Sequence, residues 1–278
     1  MKKLKKLLSS KGMVTTVWVF GLILIWEIGA YYISGTKRTP ENVLPHFYQI
    51  IASIFSTKPV SSGQTAIQIV LTNAGATITR AGLGFLIGMA GGFIFALFMN
   101  LSRIVEKVAF PYLMIIQMIP ILGMAPIVLA ITHNIGTSRI VIAAILTFYP
   151  VSTNTLAGFK SVEKEKHDFM YLCAASKFQV YTKTLIPSSI PYFFTGLKIS
   201  APMSITASIL VDTLQGDGGL GCMLSQSLKH AMSIYVFWQI VFLSAIIGIL
   251  SFYLMGVIEQ LFMPHKRSRK SRKKVDSE

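Results

Sequence analysis

Titratable and nucleophilic side chains are sparse in this chain, and none sits at a spacing suited to making or breaking bonds. The five histidines (His46, His133, His167, His230 and His265) are scattered, and the two cysteines, Cys173 and Cys222, have no His or Cys neighbour at metal-ligand spacing. There is no glycine-rich phosphate loop of the GxxxxGK type, no HExxH and no GxSxG. A catalytic site needs several groups converging on one point. This sequence offers no such set, so no enzyme activity and no cofactor are expected. What it does offer is polar groups inside apolar runs: Glu27, Arg80, Gln117, Asn154, Asp212 and Gln239. Such groups are costly in hydrocarbon and commonly serve solute passage. Gln117, within LMIIQMIP, either faces a pore or bonds to a neighbouring helix. Asp212 is either a gate residue near the outer end of its run or an interfacial acid facing water. Asn154 joins them as a pathway candidate, whereas Glu27 reads as structural.

The elements that would position these groups are membrane spans. The chain is 53% hydrophobic with 13% charged residues and a mean hydropathy of +0.60, against about 25% charged in soluble domains. Six apolar runs reach the roughly 20 residues that a bilayer crossing requires: 14–33, 77–99, 108–131, 139–157, 192–214 and 234–262. The sequence therefore predicts an all-α polytopic membrane protein. The first run follows five lysines, but it is too long for a signal peptide and leads into Tyr31 and Tyr32, which suit a membrane interface. It is read as a retained span. Pro111, Pro120, Pro126 and Pro150 are expected to kink the third and fourth spans, as helices lining a pathway tolerate. The small residues of GLGFLIGMAGG in the second suit close helix packing.

Charge sets the expected orientation. Of the 26 lysines and arginines, 19 fall before residue 13, at Arg103 and Lys107, in the loop after the fourth run, or in the tail. The positive-inside rule then places both termini and that loop in the cytoplasm. It also puts Cys173 and Cys222 on opposite sides, unable to pair. The tail HKRSRKSRKK reads as a juxtamembrane cluster touching anionic lipid. It lacks the interleaved aromatics of a base-stacking surface, so no nucleic-acid partner is expected.

Between the fourth and fifth runs lies a charged, helix-competent loop, 158–191, in a chain that otherwise spends little sequence outside the membrane. Phe169, Leu172 and Cys173 share one helical face. A short helix, a turn near residues 174–176 and a second short helix are expected, with Pro187 and Pro191 breaking the pattern before the fifth span. Such a helix pair could seat in a partner's groove or rest on lipid headgroups.

The loop resembles the signature of bacterial ABC importer permeases, E-x-A-x-x-x-G followed by nine residues and I-x-L-P. Asp168 stands at the acidic position, Ala174 at the glycine, and Thr184, Leu185, Ile186 and Pro187 on the closing stretch. FYPVSTNTLAGFKSV, Ala175 with Ser176, and IPYFFTGLKIS resemble the nitrate, sulfonate and taurine subfamily. So do Trp26 with Glu27, Val43-Leu44-Pro45, and GGLG at 218–221. Three positions depart from the pattern: Asp168 for Glu, Tyr171 for Arg, and Ala174 for Gly. Alanine tolerates a positive φ poorly, so the turn is expected to use other dihedrals or the helices to run on. The charge lock of the loop is expected to be weaker.

With the six spans read from the apolar runs, the resemblance makes the loop between the fourth and fifth transmembrane helices a coupling-helix loop. It divides the chain into a basic N-terminus (1–13), a first span (14–34), an extracytoplasmic segment (35–76), a permease core (77–262) and a basic tail (263–278). It implies a second permease copy, cytoplasmic ABC ATPase subunits into which the loop inserts, and an extracytoplasmic substrate-binding protein. Phe178 and Tyr181 would be the apolar contacts, with Asp168 positioning the helix. The solute would be a small anion of the nitrate, sulfonate or taurine kind, or alternatively a thiamine-precursor pyrimidine. A secondary transporter working alone is the rival class. It would usually show two related halves, and no such self-similarity is visible.

Overall fold

The structure is a computed structural model and describes residues 11–61, 63–215, 217–229 and 233–263. The expected basic N-terminal cluster from Lys2 to Lys6, together with His230 and the basic tail from 264 onward, lies outside the described residues. In chain order the elements are α1 (Lys11–Thr36), a 3-10 turn at Pro40–Asn42, α2 (Phe47–Ile54), a short antiparallel pair β1 (Pro59–Ser61) and β2 (Gln64–Thr65), α3 (Ala66–Leu101), α4 (Arg103–Met118), α5 (Ile121–Thr132), α6 (Ile135–Lys160), α7 (Lys164–Leu172), α8 (Lys177–Val180), a π-helical turn at Tyr181–Leu185, α9 (Ile186–Gln215), α10 (Leu220–Leu228) and α11 (Ile234–Phe262).

The chain is an all-α polytopic membrane protein. Among the described residues, five helical stretches are long and apolar enough to cross a bilayer; α4 and α5 pass that test only as a pair, bent by 105°. The third apolar run is thus an elbow rather than one kinked span. The cause is local. Ile119 precedes a proline and is held extended at ψ 126°, and Pro120 itself (φ −60°, ψ 126°) caps the N-terminus of α5 without an amide to continue the ladder. Pro111, Pro126 and Pro150 are accommodated inside α4, α5 and α6.

Contacts divide the chain into two compact units, Met1–Leu71 with Met223–Val241, and Thr72–Cys222 with Phe242–Glu278. In the first, α1 is exposed along most of its length, as a lipid-facing helix would be. Its carboxylate Glu27 organises the segment after it: Oε2 lies 2.7 Å from His46 Nδ1, and Oε1 accepts the Phe47 N–H at 2.7 Å, capping α2. Trp26 Nε1 donates to the Pro45 carbonyl at 3.0 Å. The two separated motifs, Trp26-Glu27 and Val43-Leu44-Pro45, therefore form one joint.

In the second unit α6 and α9 pair along most of their length, with α3 packed against α6. Glycine makes the approach close. A Cβ on Gly84 would lie 2.5 Å from Ala143 Cβ, and one on Gly92 would lie 2.9 Å from Val151 Cβ. On α9, a Cβ at Gly196 would sit 2.9 Å from the Pro150 carbonyl oxygen. Without an aqueous driving force, such backbone proximity is what lets membrane helices gain dispersion energy from one another. Lys198 of α9 pairs with Glu259 of α11, so neither charge meets hydrocarbon alone.

Candidate functional site

The loop after α6 is preorganised by its own backbone. At the end of α7 the amide of Ala175 bonds to the Met170 carbonyl at 3.1 Å and that of Ala174 to the Tyr171 carbonyl at 2.9 Å. These are the two bonds of a Schellman cap, which needs a left-handed residue between helix and exit. Ala174 supplies it with φ 49°. The expectation that alanine would force other dihedrals or longer helices is thus overturned: the two cap bonds hold a conformation that alanine alone disfavours. Ser176 then caps α8. Its hydroxyl accepts the Gln179 N–H at 3.3 Å while Gln179 Oε1 accepts the Ser176 N–H at 2.9 Å, a reciprocal capping box.

Pro187 and Pro191 do not end the helix as expected; the helical stretch runs from Lys177 to Leu214. The π turn explains this. Its bonds reach one residue further back, as from the Ile186 N–H to the Tyr181 carbonyl, so the ladder is already offset where the Pro187 ring enters.

The loop presents large apolar side chains outward. Phe169 is 64% exposed, Tyr171 85%, Leu172 82% and Phe178 77%. A cavity of about 420 Å³ is lined by His167, Asp168, Tyr171, Ala175, Lys177, Val180 and Tyr181. Asp168 is exposed and, among the described residues, makes no ion pair. Backbone caps do the shaping in place of a charge lock. Phe178 and Tyr181, paired by the sequence as outward contacts, part company: Tyr181 turns inward, and its hydroxyl accepts Asn100 Nδ2 at 2.9 Å.

At the opposite end of the α6–α9 pair lies a second polar cluster. Asp212 is fully buried, so the reading of it as a water-facing acid is incorrect. Its Oδ1 lies 2.8 Å from Arg139 Nε and 3.6 Å from Arg80 Nη1, and its Oδ2 accepts the Thr77 hydroxyl at 2.8 Å. Arg139, also fully buried, donates to the carbonyls of Asp217 and Gly218 at 3.2 Å each. Thr77 Oγ1 accepts the Leu220 N–H at 2.9 Å, and Asn73 Oδ1 accepts the Gly219 N–H at 2.7 Å. The GGLG run is glycine-rich for a steric reason: a Cβ on Gly219 (φ +94°) would collide with the Asp212 carboxylate, and one on Gly221 with the Ile209 carbonyl.

The three pathway candidates are not brought together. Gln117 is exposed on α4, and Asn154 is half-buried with its Nδ2 donating to the Pro150 carbonyl at 2.7 Å. Asp212 sits in its own network. Sequence reasoning missed the roles of Asn73 and Thr77. The readable signal was two arginines and one aspartate within apolar runs, beside a glycine cluster.

The second unit is thus a bundle of membrane helices with a preorganised apolar loop at one end and a cluster of buried charge at the other. Residues 84–263 match the model of the binding-protein-dependent transport system inner membrane component, and the chain belongs to this family. It is 27% identical over 262 residues to the formylaminopyrimidine transport permease protein ThiX of Halalkalibacterium halodurans, covering 94% of this chain and 99% of that one. It is 24% identical over 256 residues to the nitrate import permease protein NrtB of Synechocystis, covering 92% and 91%. With the putative aliphatic sulfonates transport permease protein SsuC of Bacillus subtilis it shares 22% over 262 residues, covering 90% and 89%. Among solved structures it resembles an amino acid ABC transporter (TM-score 0.60, 18% identity, 70% of this chain and 94% of that). It also resembles the inward-facing MetNI methionine ABC transporter (TM-score 0.62, 15% identity, 70% and 96%). The protein is the permease subunit of an ABC importer, and the rival reading as a secondary transporter working alone gives way to this membership.

Proposed function

We propose that two copies of this chain form the membrane pathway, and that loop 158–191 of each seats in a cytoplasmic ATPase subunit that hydrolyses ATP for it. The observation that carries this reading is the preformed helix pair α7–α8 with Phe169, Tyr171, Leu172 and Phe178 exposed beyond it. An apolar surface outside the bilayer costs free energy until a partner covers it. The distribution of basic residues supports placing this loop and both termini in the cytoplasm, with an extracytoplasmic binding protein delivering solute to the other side. ATP binding then drives the cycle through whatever difference in contacts the loop makes in the two states.

The solute is a small polar molecule of the formylaminopyrimidine class, supported by similarity to ThiX along almost the whole of both chains. A small anion is the second reading. Arg80 and Arg139 share the single carboxylate of Asp212, which leaves surplus positive charge where Arg80 is partly exposed. Exposed Gln117 is the pathway residue this reading retains, facing water or the second copy. Phe178→Glu in the full chain co-expressed with its ATPase should abolish ATPase co-purification while the permease still inserts. Full retention would overturn the docking reading. Uptake into proteoliposomes carrying the complete importer, with labelled formylaminopyrimidine and labelled nitrate compared, decides the solute class.

A further inference from the structure

The tip of the loop is exposed, but its base is tied down, and the ties converge on one corner. Asn100, in the last turn of α3, donates to the Tyr181 hydroxyl where the π turn begins. Lys160, the last residue of α6, pairs with Glu106 in the first turn of α4. The two ties therefore clasp the α3–α4 corner from both ends of the loop. Beneath them one buried cluster joins the same elements: Ala96 and Met99 of α3, Leu113 of α4, Phe159 of α6 and Leu185 of the π turn. Ser102 makes the corner stiff by capping α4, its hydroxyl accepting the Val105 N–H at 3.4 Å. From there α4 runs only to Met118, where the 105° elbow begins.

The chemistry of the ties suits directing motion more than holding the fold. The Lys160–Glu106 side chains are 51% and 25% exposed, and ion pairs so placed add little to folding stability. The Tyr181 ring is packed against the cluster whether or not its hydroxyl is bonded. Directional bonds add to the packed cluster a resistance to sliding that depends on donor–acceptor alignment. π-helical turns recur at functional positions.

We propose that the α3–α4 corner, clasped by Tyr181 and Lys160, passes displacement of the docking loop to the α4–α5 elbow. Tyr181, Asn100, Lys160 and Glu106 are positioning residues, touching neither nucleotide nor solute. The proposal rests on the docking reading above.

The test uses the full chain with its ATPase in nanodiscs, carrying one environment-sensitive fluorophore at Met118→Cys in a Cys173→Ser, Cys222→Ala background. Two quantities are read: ATPase retained on purification, and the ATP-dependent change in emission at the elbow. Tyr181→Phe, Glu106→Lys and Lys160→Glu should each keep the ATPase at the parent level while the emission change falls by about 2- to 30-fold, the span of coupling effects reported for intermediary residues. The double charge reversal Glu106→Lys, Lys160→Glu should restore it by re-forming the pair, whereas a merely structural role would lower ATPase retention along with the emission change. Variants with the ATPase and a full emission change overturn the transmission proposal, as does a double reversal no better than either single change. A parent chain that retains no ATPase overturns the docking reading and the proposal with it.

Discussion

At the scale of single residues, Ala174 shows how backbone bonding overrides a side-chain preference. Its φ of 49° lies in the region where a Cβ costs about 1–2 kcal/mol, yet the Schellman bonds from Ala174 and Ala175 fix it there. Ala174→Gly should therefore stabilise the loop by about 1 kcal/mol, seen as slower amide hydrogen exchange across residues 164–180. Unchanged exchange would mean that the turn is not left-handed. The position of this residue was legible, because the closing Pro187 set the register. Its conformation was not, because a φ angle depends on which carbonyls are free nearby rather than on the residue type alone. Asp168 makes the related point. It keeps the family's acidic character but bears no ion pair among the described residues, and the caps at Ser176 and Ala174 carry the shape instead.

At the scale of elements, the Asp212 cluster binds the starts of α3 and α6 to the end of α9 and to the segment at 217–221. Two fully buried partners of opposite charge make it sensitive to removal of either. Asp212→Asn should cost about 3–5 kcal/mol, because Arg139 is then buried without its counter-charge. A fluorescence-detected thermal unfolding series in detergent measures this, and a midpoint equal to the parent's would show that the cluster is not a structural lock. The places of the apolar runs could be read from the order of residues, since hydropathy is summed locally along the chain, but their ends could not: the helices run over Ala66–Leu101 and Lys177–Leu214, well past the runs 77–99 and 192–214. Pro120 marked the place of the elbow, but not its 105° angle, because a run of apolar residues does not record direction. Nor was the passage of the helix through Pro187 and Pro191 legible, since a π turn has no side-chain signature of its own.

For the molecule as a whole, the proposed orientation makes the two thiols a topological probe. Cys173 is exposed in the loop and Cys222 is buried. A membrane-impermeant maleimide should modify Cys173 in inside-out vesicles and leave it untouched in right-side-out cells, with Cys222 unreactive in both. Labelling from the opposite side would reverse the assignment. The elbow carries a further consequence for such a molecule. Where α4 ends and α5 begins, carbonyls of one helix and amides of the next lack partners within their own helices. In the hydrocarbon region such groups must meet protein or water. The chain thus sets two half-dipoles side by side at the elbow, negative at Met118 and positive at Ile121. Polarity built from main chain is indifferent to side-chain substitution.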